Sequence, residues 1–134
     1  MMIENFDDAL RAACQQPQPQ QLLFVFARAE LPDDASPVQR AAFEAGEGGT
    51  LLPIMCVDKS PDSLTSFAKL VGEAGQFAQD WSLVFLGALS GGQNSAPSDQ
   101  AIDQALNAMV ERIKRGEIGD YLAFDKMGNA CKLV

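Results

Sequence analysis

The chain has 134 residues, the size of one ordinary domain, and at 47% hydrophobic and 21% charged it is composed to fold around a core. Ten basic against eighteen acidic residues leave a net charge of −8, which repels phosphate backbones and anionic lipid surfaces and argues against nucleic-acid and membrane partners. Histidine is absent, and with it go the commonest general base, the commonest metal ligand and every histidine-containing triad.

The chain opens Met-Met-Ile-Glu-Asn-Phe-Asp-Asp, acidic where an export signal would be basic and then apolar. Its apolar runs fall short of the roughly 20 residues that span a bilayer. A reducing cytoplasm is therefore expected. Cys14, Cys56 and Cys131 are odd in number and widely spaced, which predicts three free thiols, with neither a disulfide framework nor a zinc site. Cys14 and Cys56 sit in apolar stretches and read as small core residues.

In chain order, Phe6, Leu10, Ala13 and Cys14 recur at helical spacing behind Asn5, a capping residue, with Asp7 and Asp8 at the positive end of the dipole. The Gln/Pro stretch 15–21 ends that helix and serves as a connector. Leu22–Ala27 is a continuous apolar run, the signature of a strand buried on both faces. Ser36-Pro37 opens a second helix carrying Val38, Ala41, Ala42 and Ala45, which Gly46 stops. Leu51–Val57 is a second strand, and Pro53 places it at an edge or makes it begin just afterwards.

Ser60-Pro61 repeats the cap-and-proline signal before a longer helix with Leu64, Phe67, Ala68, Val71, Ala74 and Ala78 on one stripe. Ser82–Leu89, led by Trp81, is a third strand. A loop over 90–97 leads to Ser98, the cap of a fourth helix with Ile102, Leu106, Met109, Val110 and Ile113 facing inward and Gly116 at its end. Tyr121–Phe124 and Ala130–Val134 flank a turn and predict a terminal β-hairpin. The order α-β-α-β-α-β-α-β-β predicts one α/β domain over 1–134. It should hold a mixed, mainly parallel five-strand sheet with right-handed crossovers and an edge hairpin.

In an open parallel sheet, ligands bind beyond the carboxyl ends of the strands. That rule nominates three loops: one with Arg28, Glu30, Asp33 and Asp34, one with Asp58, Lys59 and Ser60, and one from Ser90 to Ser95. Within them Asp58, Ser60, Ser90 and Gly91 are the candidate ligand-binding residues; no catalytic or metal-ligating set is found. Gly87 to Gly92 has the spacing of a phosphate-cradling loop, but Gln93 and Asn94 stand where lysine and a hydroxyl are needed. Gly46, Gly48 and Gly49 follow a helix and precede a strand, the reverse of a dinucleotide-binding context. Glu30, Asp33 and Asp34 lack the ligand spacing of a calcium loop. Cys131 beside Lys132 is a thiol with a modestly lowered pKa expected, but no histidine is available to activate it.

Leu-Leu-Phe-Val-Phe-Ala (22–27), Glu-Leu-Pro-Asp-Asp-Ala (30–35), Met-Cys-Val-Asp-Lys (55–59), Gln-Asp-Trp-Ser-Leu-Val-Phe (79–85), Ala-Leu-Ser-Gly (88–91) and Ile-Gly (118–119) carry a resemblance. The chain resembles a family of small uncharacterised proteobacterial proteins often labelled "ribonucleotide reductase subunit alpha". The resemblance implies no activity and no functional residues. The label's chemistry needs a barrel of several hundred residues, a radical-forming cysteine and a reducing cysteine pair, and neither the length nor a cysteine pair is present here. The residues as a whole predict a non-enzymatic protein, monomeric or weakly dimeric, without cofactor or metal, acting through protein–protein contacts. The alternative is a small-molecule-binding protein or minor enzyme using the strand-end crevice, because carboxylates alone carry some acid–base chemistry.

Overall fold

The apolar run at 22–27 lies inside a longer strand. In the structure, a computed structural model that describes residues 3–131 apart from 17, 32, 45–49, 65, 77–79 and 93–94, β1 spans Gln20–Glu30. All six residues from Leu22 to Ala27 are buried, because helices cover both faces of the sheet at this strand. β2 (Thr50–Lys59), β3 (Leu83–Ser90) and β4 (Leu122–Phe124) complete it in the order β2-β1-β3-β4. Helices α1 (Phe6–Cys14), α2 (Pro37–Glu44), α3 (Phe67–Ala74) and α4 (Asp99–Lys114) and a 3₁₀ turn at Pro61–Ser63 make up the rest.

Every pairing is antiparallel. The expected mainly parallel five-strand sheet is thus corrected to four antiparallel strands. Lengths explain the failure. The 11 residues of β1 reach about 36 Å, whereas the 8 residues of α2 reach only about 12 Å. So short a helix does not carry the chain back along β1, and β2 makes the return itself. The longest helix, α4, touches β1, β2 and β3 and so lies across strands instead of returning along one. The expected hairpin shrinks as well: Phe124 meets Ala130 at a single bridge, and residues 132–134 lie outside the described ones.

Alternation along β1 splits the core in two. Leu22, Phe24 and Phe26 pack with Phe6 and Ala9 of α1, Leu70 and Ala74 of α3, Trp81, and Phe124 of β4. Leu23, Val25 and Ala27 pack on the opposite face with Ile102, Leu106, Met109 and Ile113 of α4. Three layers result, with helices on both faces of the four-strand sheet.

The capping signals hold where side chains make the bonds. Asn5 Oδ1 accepts from Asp8 N at 3.0 Å, and Ser98 Oγ accepts from Ala101 N at 3.1 Å. Ser36 and Gln39 form a reciprocal box at α2. Gly116, at φ 78°, ends α4. The single helix expected from Ser60 is instead two pieces. Leu64 turns extended (φ −108°, ψ 126°) to bury its side chain, and Ser66 then caps α3 through Lys69 N. Ala45, Gly46 and Ala78 fall outside the described residues.

All three cysteines are free thiols, but Cys14 and Cys56 are exposed, against their expected place in the core. Cys14 ends α1 on its outer side, and Cys56 lies on the edge strand β2, which has a neighbouring strand on one side only. No helix among the described residues is long and apolar enough to cross a membrane.

Candidate functional site

β2 is the outermost strand of the sheet, so the edge reading of Pro53 is the one the fold adopts. Phe26 pairs with Met55 and Ala27 with Pro53, which leaves Ile54 as an extra residue in a bulge. Proline and bulge together blunt the first half of the edge. From Met55 to Lys59 the strand is regular, each residue paired with β1 on its inner side. On the outer side no backbone hydrogen bond arrives from any other described residue.

Beside this open edge runs an apolar cleft of about 320 Å³. Its floor is Phe26, one wall is Met55 and Val57 of β2, and the other is Leu70 and Ala74 of α3. Pairing with Phe24 and Phe26 puts Val57 and Met55 on the cleft face. An ion pair closes one end, Lys59 Nζ lying 2.7 Å from Glu73 Oε2. The hydrogen bond from Lys59 holds the Glu73 carboxyl below the ordinary glutamate range, against partial burial that pushes it up; the charges of Lys59 and Lys69 add to the lowering. Lys69 is exposed on the same helix.

Among the residues lining the cleft, the only acid is Glu73, and it is engaged by Lys59. Cys56 pairs with Val25 and so projects toward the α4 face. No cluster of three or more His, Cys, Asp or Glu side chains suited to a metal occurs among the described residues.

The residues nominated from sequence lie elsewhere. Because the sheet is antiparallel, the Arg28 loop sits at one end of it, and the Asp58 and Ser90 loops sit at the other, flanking the start of β1. Gln21 Nε2 donates to Asp58 Oδ2 at 2.8 Å, and Gln20 Nε2 donates to Ser90 Oγ at 2.9 Å. Gln20 and Gln21 are consecutive, so Asp58 and Ser90 are held toward opposite faces. Ser60 makes no side-chain cap; its carbonyl accepts from Ser63 N and Ser63 Oγ. Gly91 N donates to Pro19 O at 2.8 Å, and a β-carbon at Gly91 would fall 2.0 Å from Ser95 O, which explains that glycine sterically. Gln93 and Asn94 lie outside the described residues. Arg28 is engaged by Glu30 at 2.6 Å and by Asp80. The Cys131 thiol is pushed up by burial and then by the charge of Asp125, opposite to the lowering expected from Lys132.

Among the described residues of the nominated loops, Lys59 is the one that reaches the cleft. Met55, Val57, Leu70, Glu73 and Ala74 were missed, since apolar stripes on a strand and a helix read as core. Pro53 was the available signal, because an edge strand has one side left to offer. Compared with protein families, curated proteins and solved structures, the chain gives no match.

Proposed function

We propose that this is a cytoplasmic protein that works by binding another polypeptide, without catalysis, through the outer edge of β2 and the cleft between β2 and α3. One observation carries the reading: a regular strand edge, unpaired among the described residues, lies against an open apolar cleft. Exposed edges invite pairing and are usually covered or broken. Here Thr50–Ile54 is blunted, while Met55–Lys59 meets no other described backbone on its outer side. Apolar area buried by a partner would supply the affinity.

A photo-crosslinking residue at position 57, installed in the otherwise natural chain and activated in cells that make the protein, tests the reading. Position 107, on the exposed side of α4, serves as the control. A discrete protein adduct from 57 and none from 107 is the expected result. No adduct from 57, or equal adducts from both, contradicts it.

The second reading, a small apolar acid in the cleft, is favoured by the volume, which falls in the lower range of ligand pockets, and by the Lys59 ammonium at its end. Native mass spectrometry of protein isolated from its own cells separates the two readings, since a retained small molecule adds a fixed mass.

A further inference from the structure

We infer that the occupant of this site is an extended segment of the partner, which joins the sheet as a fifth strand along Met55–Lys59. The inference rests on the polypeptide-binding reading and adds the conformation and chemistry of what is bound.

The backbone supplies the first argument. A β-strand offers alternate N–H and C=O groups to each side, and those of β2 on its outer side meet no other described residue. A helix or a compact surface laid in the cleft would leave them to water, whereas an added strand pairs them. Side-chain spacing supplies the second. Met55 and Val57 stand two residues apart on the cleft face, so residues two apart on an added strand fall on that same face, above Leu70 and Ala74 of α3. An apolar residue at every second position is what the cleft accepts.

Charge supplies the third. The chain carries −8, yet Lys59 stands at the end of the cleft, and its charge and that of Lys69, exposed on α3, both act on the one carboxylate of Glu73. That local excess of positive charge favours an acidic side chain near the Lys59 end of the added strand. The same net charge disfavours a second copy, because each copy brings −8 to a pairing only five residues long.

The probe is an acetylated, amidated heptapeptide of alternating valine and threonine ending in glutamate, titrated into the ¹⁵N-labelled full chain. Two controls are the same peptide N-methylated at the amides facing β2 and the same peptide ending in lysine. Expected are shifts at the amides of Met55–Lys59 and along Phe67–Ala74, about tenfold or greater loss of affinity on N-methylation, and a several-fold loss with lysine. Equal binding of the N-methylated peptide overturns strand addition. Absence of any shift with all three peptides, while position 57 still crosslinks a protein, overturns this inference and leaves the polypeptide-binding reading standing. Absence of both the shifts and the adduct overturns both. A concentration-dependent dimer with Met55–Lys59 at its interface makes a second copy the occupant and also overturns the inference.

Discussion

The two edges of this sheet are treated in opposite ways. Along β4 the chain spends its own backbone on coverage: Cys131 N donates to Ala123 O at 2.8 Å, Ala130 N reaches Glu4 O, and Phe6 N reaches Gly128 O. The turn 125–128 is pinned by Asp125, whose carboxylate accepts from Met127 N and Asn129 N. It is packed under Phe67 at Gly128. Along β2 a proline and a bulge break half of the edge, and the other half, beside an apolar cleft, takes no backbone hydrogen bond on its outer side from any other described residue. Among the described residues, one edge is sealed by both ends of the described chain, and half of the other edge is left open. The binding proposal rests on that difference rather than on any catalytic residue.

Core substitution near each edge should separate them most. Phe124 is fully buried in β4 with its ring 5.6 Å from that of Phe6, so Phe124→Ala should lower stability by about 3–5 kcal/mol. Val57→Ala, at the half-buried wall of the cleft, should lower it by about 1 kcal/mol or less. Urea unfolding of the two variants checks the ratio, and equal losses would mean that β2 is covered in the free protein. Gly128 comes next. Its φ of 83° and the 3.1 Å approach of Phe67 to a β-carbon there predict a loss of about 1–3 kcal/mol for Gly128→Ala, read the same way.

Thiol chemistry sharpens the contrast without mutation. Cys56 on the open edge is exposed, whereas Cys131, on the segment covering β4, is half-buried with its thiol pushed up by burial and by Asp125. Maleimide labelling of the native chain, followed by mass spectrometry, should modify Cys56 several-fold faster. The smallest effect is on pH. The Glu73 carboxyl is held below its ordinary value of 4.5, chiefly by the hydrogen bond from Lys59. Its contribution is therefore fully present above that value and is lost as the pH falls through the lowered one. Asp8 behaves in the same direction, first because Glu4 N donates to it. Acid titration of Glu73→Gln beside the natural chain should show a slightly flatter loss of stability, with Asp8 still responding.

Much of the element list was legible because its signals are local. Asn5, Ser36-Pro37, Ser98 and Gly116 mark helix ends by bonds to residues within a turn, and Leu22–Ala27 announces a central strand by being apolar on both faces. Strand direction was not legible, since it depends on whether a helix is long enough to return the chain, and β1 outruns its apolar run by five residues. Antiparallel pairing then put the Arg28 loop at one end of the sheet and the Asp58 and Ser90 loops at the other, on either side of β1. The cleft was hidden for a related reason. Leu51–Val57 and Leu22–Ala27 look alike as apolar runs, and only Pro53 hinted that one of them has a neighbour on a single side.

Native-state hydrogen exchange tests the open edge most directly. β1 is paired on both sides, so every amide from Leu22 to Ala27 should exchange slowly. In Met55–Lys59 only the amides that face β1 should be slow, giving fast and slow residues in alternation. Uniformly slow exchange across Met55–Lys59, at rates matching β1 in the isolated chain, would show the edge already covered and contradict the account.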